Sequence, residues 1–412
     1  MTEDIDRYFI ATVSAMTPHT RSVPDWSSLT VEHCLTLFDA QLANRHLDLA
    51  ARWLRSQGKG YYTIGSSGHE GNVAVAAALR HTDPALLHYR SGGFFLARAQ
   101  QVDGSDPVRD VLLGMVAATE EPISGGRHKV FGRHDLNIIP QTSTISSHLP
   151  RAVGVAFSIA RARKLGVQCP WPEDAVTVCS FGDASANHST AVGAINTAVH
   201  SAYQGLPMPL LFVCEDNGIG ISTATPKGWI ARNFGNREGL QYFAADGSDL
   251  PGAYAASVAA AAWVRTHRRP AFLHLRTVRL MGHAGSDYEP AYRRPDEITG
   301  DYDRDPVLCT AKLLVTSGIL SPAEVLDRYE ATRGEVLELA REVSALPQLD
   351  SAAAVMEPLR DTLDDAVHAV PETPGATPAA PEPLTVALAI NRALHDVLAQ
   401  YPEALVFGED VA

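Results

Sequence analysis

The pattern of apolar and polar residues predicts a helical start followed by alternating strands and helices. Residues 1–60 carry apolar side chains at helical spacing in VEHCLTLFDAQLANRHLDLAARWL, with Ser28 or Thr30 as candidate caps. Between residues 61 and 300, short apolar runs alternate with helical stretches, which is typical of βαβ units. The predicted strands are 86–89, 175–181, 209–214, 241–245 and 271–278. We therefore predict an α/β fold with a parallel sheet flanked by helices.

The pattern changes after residue 300 and suggests a second domain near the end of the sequence. Residues 301–346 are helical and charged, whereas VPETPGATPAAPEP is rich in proline and alanine and predicts an extended linker. A helical pattern returns in LTVALAINRALHDVLAQ and is followed by a strand-like run. The predicted organisation is a helical segment (1–60), a main α/β domain (61–346), a tail and linker (347–383) and the start of a second domain (384–412), which we expect to be truncated.

Composition and charge exclude several classes of function. The 412 residues are 45% hydrophobic and 20% charged, which is ordinary for globular proteins. A net charge of −13 argues against nucleic-acid binding and against an anionic membrane surface. No apolar run reaches the length of a membrane span, and the N-terminus lacks the layout of a signal peptide. The five cysteines are scattered without a CxxC pair, so we expect reduced thiols and a cytoplasmic location.

Two acidic turns carry the strongest chemical signal. The apolar runs AVTVCSF and PLLFVC end in GDAS and EDNGIG, and a helical stretch joins them. Because strands of a parallel βαβ unit end at the same sheet edge, Asp183 and Asn217 are expected to face one crevice. A carboxylate, an amide oxygen and a nearby carbonyl suit Mg²⁺, which leaves room for phosphate oxygens. The sequence thus predicts a site for a diphosphate held on magnesium.

These turns resemble the cofactor motif of the thiamine diphosphate-dependent 2-oxo acid dehydrogenases, and the likeness to their α subunits covers roughly residues 60–345. The resemblance implies a thiamine diphosphate-binding fold with thiamine diphosphate and Mg²⁺ as cofactors. It assigns Asp183 and Asn217 as side-chain metal ligands and Ile219 as the carbonyl ligand. It also places Gly182, Ala184 and Ser185 around the cofactor.

Three further motifs carry the same resemblance. HYRSGG is similar to the family's YR motif, which implies that Arg90 grips the terminal phosphate and that Tyr89 lies alongside. MGHAGSDYEPAYR is similar to the family's histidine loop, so His283 is the implied catalytic histidine at the cofactor. Asp287, Tyr292 and Arg293 fall on the residues that order this loop. STISSHLPRAVG, a weaker match, implies that Ser143 and Ile145 contact the cofactor.

The last residues resemble a different subunit of this family. LTVALAINRALHDVLAQYPEALVFGEDVA looks like the opening of the β subunit, which assigns Glu409 as a catalytic residue near the cofactor. The resemblance places the glutamate that activates the aminopyrimidine ring farther downstream. We therefore expect an α–β fusion that stops early in the β part and is inactive alone. Implied partners are a β-subunit-like domain or chain, a lipoyl-bearing acyltransferase and a homo- or hetero-oligomeric assembly.

The implied activity is oxidative decarboxylation of a branched-chain 2-oxo acid or pyruvate, with acyl transfer to lipoyl. A non-oxidative enzyme of the transketolase type and a non-catalytic assembly subunit remain alternatives.

Three positions depart from the family. Ala184 replaces a glycine, Asn217 follows Asp183 at a longer spacing, and Ala284 stands where a regulatory serine would be. The other histidines, including His69, lack zinc-ligand spacing and are expected to be structural. His88 and His148 are noted because each flanks a cofactor motif.

Overall fold

Five parallel strands form the sheet of this protein in a computed structural model that describes residues 3–18, 20, 26, 29–359 and 383–406. The strands pair in the order β1-β2-β3-β5-β4. Their bounds are β1 Ala85–Leu86, β2 Thr177–Gly182, β3 Leu210–Asp216, β4 Gln241–Asp246 and β5 Ala271–Arg276. In the central pair, Gly182 lies opposite Glu215, so β2 and β3 end side by side. The α/β fold with a parallel sheet is confirmed.

Four strands lie on the predicted segments, and the first differs. The prediction placed β1 at 86–89, but the strand ends at Leu86. Beyond it the chain leaves the ladder, because the backbone N–H of His88 donates to the Ser180 side chain of β2, at 2.8 Å from Oγ, instead of to a backbone carbonyl of that strand. This departure frees the YR motif from the sheet and lets it turn into the next helix.

Helices cover both faces of the sheet. The described helices are, in chain order, α1 Asp4–Ser14, α2 Val31–Ser56, α3 Val73–Ala77, α4 Gly92–Ala99, α5 Pro107–Met115, α6 Leu149–Leu165, α7 Ser189–Tyr203, α8 Trp229–Phe234, α9 Leu250–His267, α10 Pro295–Gly300, α11 Pro306–Thr316, α12 Pro322–Val343, α13 Ala352–Met356 and α14 Val386–Gln400, of which the last two belong to a separate unit. Four begin at proline, whose missing N–H costs nothing in the first turn. Thr30, one of the two predicted caps, accepts a hydrogen bond from the backbone N–H of His33 at 3.1 Å.

The core lies on both sides of the sheet, because alternate strand residues point to opposite faces. Val213 and Leu273 join one buried cluster with α2, α3, α4 and α9. Phe212 and Phe272 join the other, with α7, α8 and the start of α6. Burial on both faces explains why the strands read as continuous apolar runs. Five cysteines are free thiols.

The chain divides into two compact units, Met1–Phe157 with Trp171–Gln348 and Ser158–Pro170 with Leu349–Ala412. In the second unit, α14 lies where the sequence predicts a helix after the linker, and Thr385 caps it by accepting from the Leu388 N–H at 3.3 Å. Most of the predicted linker and Glu409 lie outside the described residues. Among the described helices, none combines the length and apolar character needed to cross a bilayer.

Candidate active site at the carboxyl ends of the strands

The site begins where β2 and β3 end. Asp183 follows β2 directly and is 1% exposed, and Asn217 follows β3. The Thr225 hydroxyl donates to the Asp183 carboxylate. Because Gly182 pairs with Glu215, the two polar residues lie at one edge of the sheet. This is the juxtaposition that the paired turns predict.

The Asp183 carboxylate is electrostatically unusual. Burial raises its pKa to about 6, and the negative charge of Asp216 adds to this, whereas the Thr225 hydrogen bond opposes it. Among the described residues, no lysine, arginine or histidine forms an ion pair with Asp183. Burying a carboxylate without a cation is costly. A divalent cation at this position would stabilise the ionised form, so the donor set fits Mg²⁺.

A short loop after Asn217 completes the edge. Asn217 Oδ1 accepts from the Ile219 N–H at 3.0 Å, and Gly218 adopts a φ of 77°, which suits glycine. Arg279 also holds this loop, because its Nη1 donates to the carbonyls of Gly220 at 2.9 Å and Ile221 at 2.8 Å. The loop that carries Ile219 is therefore held by the side chains of Asn217 and Arg279.

Arg90 is a buried cation that has no carboxylate partner among the described residues. Its side chain donates to the Gly65 carbonyl, to His283 Nδ1 at 3.0 Å and to the His283 carbonyl at 3.2 Å. The guanidinium also lies 5.2 Å from the centre of the Tyr89 ring. Burial lowers the pKa of Arg90. Within the described part of the chain, no acidic side chain pairs with it. A guanidinium in this situation is suited to a bound anion.

His283 contacts Arg90 and lies in a loop that is held by several hydrogen bonds. Its pKa is lowered to about 4 by burial first and then by the charges of Arg90 and Arg279, although Asp287 opposes them. The backbone N–H of His283 donates to Asp287 Oδ2 at 2.6 Å, and the Tyr292 hydroxyl donates to the same oxygen. Arg279 Nη2 donates to the Tyr292 hydroxyl at 2.7 Å. Asp287 and Tyr292, two of the loop residues that the sequence singles out, therefore hold the backbone that carries the imidazole. The third, Arg293, instead pairs with Glu289 at 2.9 Å and Asp301 at 2.5 Å.

The remaining predicted cofactor residues lie in different surroundings. Gly182 is buried beside His88, Ala184 is exposed and Ser185 is buried, with its carbonyl accepting from Ser146 Oγ at 3.1 Å. Ser143 contacts only His128, at 3.4 Å, among its described hydrogen-bond partners, and Ile145 is 45% exposed. The structure thus brings Asp183, Asn217, Tyr89, Arg90 and His283 to one edge, whereas Ser143 and Ile145 are not hydrogen-bonded to this group in the described residues.

Sequence reasoning missed the buried layer beneath the site. Donor atoms of His69, His88 and Glu215 lie within 4.8 Å of one another, a set that could hold a metal ion. Both ring nitrogens of His69 are already hydrogen-bonded, however, to Glu215 at 2.8 Å and to Asn217 at 2.9 Å. We therefore interpret the cluster as a hydrogen-bond network. Glu215 belongs to the EDNG turn itself, which is the signal that could have pointed to it.

The fold and this edge are those of an α/β protein suited to an anionic cofactor at the ends of its parallel strands. Residues 39–351 match the family model described as dehydrogenase E1 component, so the chain belongs to that family. The family makes it a thiamine diphosphate-dependent 2-oxo acid dehydrogenase, which confirms the class that the motifs predict.

Named relatives lead to the same family. The 2-oxoisovalerate dehydrogenase subunit alpha of Bacillus subtilis is 26% identical over 353 residues, 84% of this chain and 94% of the relative. The mitochondrial subunit of Caenorhabditis elegans is 29% identical over 266 residues, 63% of this chain and 57% of the relative. That of Homo sapiens is 25% identical over 329 residues, 78% of this chain and 69% of the relative.

Proposed function

We propose that this chain binds thiamine diphosphate with Mg²⁺ and contributes to oxidative decarboxylation of a branched-chain 2-oxo acid, with the acyl group passing to a lipoyl group on an acyltransferase. One observation carries the proposal: Asp183 and Arg90 are buried opposite charges, neither of which has an ionic partner among the described residues. A cation at the first and a diphosphate at the second would neutralise both. The substrate class follows the names of the relatives, and pyruvate is the other candidate.

Each residue then has a definite task. The Asp183 carboxylate, the Asn217 amide oxygen and the Ile219 carbonyl would hold Mg²⁺, and Arg90 would hold the diphosphate. When bound, thiamine diphosphate supplies the carbanion chemistry that cleaves the bond to the carboxylate. The protein supplies binding, orientation and proton positioning around it.

His283 is suited to moving a proton. Since Arg90 Nη2 donates to Nδ1, the proton of the neutral ring lies on Nε2, which makes Nε2 the donor. An anion bound at Arg90 would offset the positive charge that lowers the pKa of His283. Cofactor binding would therefore bring the histidine closer to the working pH, where general acid–base groups are most effective.

A partner chain is part of the proposal. Large apolar side chains are exposed at the start of α7, which follows β2, and in the segment that follows β3, namely Val192, Ile221 and Trp229. Exposed apolar groups of this kind beside a site are typical of an interface. We propose that a β-subunit-like domain or chain covers this face in a homo- or hetero-oligomer, and that the protein acts in the cytoplasm.

Calorimetric titration of thiamine diphosphate tests the cofactor site directly. The chain should bind the cofactor only with Mg²⁺ present, and Asp183→Ala should abolish that binding because the buried metal ligand is lost. Asp174→Ala is the control, since Asp174 precedes β2 and pairs with Arg80 on the surface at 2.8 Å. An absence of Mg²⁺-dependent binding, even with a β partner added, would instead favour a non-catalytic assembly role.

Substrate assays with the assembled enzyme separate the catalytic alternatives. Lipoyl-dependent turnover of 2-oxoisovalerate faster than of pyruvate supports the proposed reaction. Cleavage of a ketose donor without lipoyl would favour the transketolase type. The two outcomes differ in both the donor consumed and the acceptor required.

A further inference from the structure

A buried chain of three side chains links β3 to the proposed metal ligand Asn217. The imidazole of His69 is 0% exposed and sits between Glu215 and Asn217. His69 Nδ1 lies 2.8 Å from Glu215 Oε2, and His69 Nε2 lies 2.9 Å from Asn217 Nδ2. The three groups form a continuous carboxylate–imidazole–amide arrangement behind the sheet edge.

The hydrogen bonds fix the role of each atom. The Glu215 carboxylate is fully buried and also accepts from Ser91 Oγ and from Asn72 Nδ2, the latter at 3.2 Å. As an acceptor, it requires the His69 proton on Nδ1. His69 Nε2 is then a bare acceptor and can bind only the Nδ2 amide of Asn217. The amide oxygen of Asn217 is consequently directed away from His69.

The backbone leaves little freedom for the imidazole to move. Gly68, directly before it, has a φ of +97°, and a Cβ there would lie 1.9 Å from the Val278 carbonyl oxygen. The Gly68 N–H donates to Glu70 Oε2 at 2.6 Å. Gly68 therefore packs closely against the segment that follows β5, which restrains the backbone next to His69.

We propose that His69 is a positioning residue for the metal: by accepting from the Nδ2 group of Asn217, it keeps the Asn217 amide oxygen available as a ligand. The inference rests on the proposed function, because it assumes that Asn217 binds Mg²⁺. Partners that orient a metal ligand typically change metal affinity by about 10–100-fold when removed. His69 acts through Asn217 and needs no contact with cofactor or substrate.

Two substitutions at one position separate positioning from simple packing. His69→Gln can present an amide oxygen near the site of Nε2, whereas His69→Leu offers no acceptor. Both variants remove the His69 Nδ1–H group that donates to Glu215. Any loss of stability caused by losing that hydrogen bond is therefore the same in the two variants and cancels when they are compared. The full chain is titrated with Mn²⁺ in the presence of thiamine diphosphate, and bound Mn²⁺ is followed by electron paramagnetic resonance, since Mn²⁺ favours the same oxygen ligands as Mg²⁺.

His69→Leu should weaken Mn²⁺ binding by about 10–100-fold relative to the unsubstituted chain. The Mn²⁺ affinity of His69→Gln should stay within about threefold of that chain. Equal affinities for the two variants would overturn the positioning role while leaving the proposed cofactor site intact. If the unsubstituted chain shows no cofactor-dependent Mn²⁺ binding even with a β partner added, the proposed function and this inference both fail.

A measurement on the unsubstituted chain guards against variants that do not fold. Nitrogen NMR of ¹⁵N-histidine-labelled protein distinguishes a protonated Nδ1 from a protonated Nε2. The inference requires His69 to be neutral with its proton on Nδ1. A proton on Nε2 would remove the acceptor for Asn217 and overturn the proposal without any substitution.

Discussion

Replacing Arg90 with methionine should change cofactor binding and intrinsic stability in opposite directions. Arg90 is 3% exposed, and among the described residues its side chain donates only to neutral acceptors. Methionine keeps most of the side-chain volume but removes the charge. The substitution therefore asks whether the buried charge is present for the fold or for a bound anion.

The magnitudes follow from the contacts. Burying an ion without an opposite charge costs several kcal/mol, and hydrogen bonds from a charged donor to half-buried neutral acceptors offset this by the lower end of about 1.5–3 kcal/mol each. Gly65 and His283, which accept from Arg90, are only half-buried, so their carbonyls can turn to water. We expect Arg90→Met to raise the unfolding free energy of the cofactor-free chain by about 1–2 kcal/mol.

Cofactor affinity should fall by much more. Hydrogen bonds between a guanidinium and phosphate oxygens contribute about 1.5–3 kcal/mol each, and two of them are expected here. A loss of about 3 kcal/mol or more raises the Kd for thiamine diphosphate at least about 100-fold. Urea unfolding of the cofactor-free chain and calorimetric titration with Mg²⁺ present measure the two quantities separately.

Arg45→Met is the matched control. Arg45 is also fully buried, but it pairs with Asp305 at 2.7 Å and Glu70 at 2.8 Å. Its removal leaves two buried carboxylates and should cost about 3–5 kcal/mol of stability. If Arg90→Met destabilises the cofactor-free chain as strongly as Arg45→Met does, the charge of Arg90 serves the fold, and the reasoning that assigns it to an anion is refuted.

Three further substitutions test other parts of the structure. Burial, followed by the charges of Arg333 and Arg45, lowers the pKa of His46 from 6.5 to about 3. Below pH 6.5 the unfolded chain therefore binds a proton that the native state does not, and stability should fall by about 2 kcal/mol between pH 7 and pH 5. His46→Phe should flatten this dependence in urea unfolding, and an unchanged pH slope would contradict the assignment. Gly68→Ala would place Cβ 1.9 Å from the Val278 carbonyl oxygen at a φ of +97° and should cost more than about 2 kcal/mol, with melting temperature as the measure; native-like melting would show that the turn can relax. His283→Gln should bind Mg²⁺ and thiamine diphosphate within about threefold of the starting chain but slow acyl transfer by about 100-fold or more, and a matching loss of cofactor affinity would count against a catalytic role.

Much of the fold could be predicted because the pattern of apolar residues is local. Runs such as PLLFVC are apolar throughout because helices cover both sheet faces. The exception is the short first strand, which ends early because the Ser180 side chain of β2 accepts a hydrogen bond from the His88 N–H. That contact joins residues 92 positions apart, which no local pattern encodes.

The site divides in the same way. The sequence by itself determined that Asp183 and Asn217 meet, because residues directly after neighbouring parallel strands must share a sheet edge. Only the tertiary structure decided that Arg90 lies 3.0 Å from His283 across 193 positions, and that His69, expected to be purely structural, bridges Glu215 and Asn217. These contacts depend on how loops and helices pack over the strand ends. Strand order fixes where a chain must pass, whereas side-chain packing fixes which distant groups can touch.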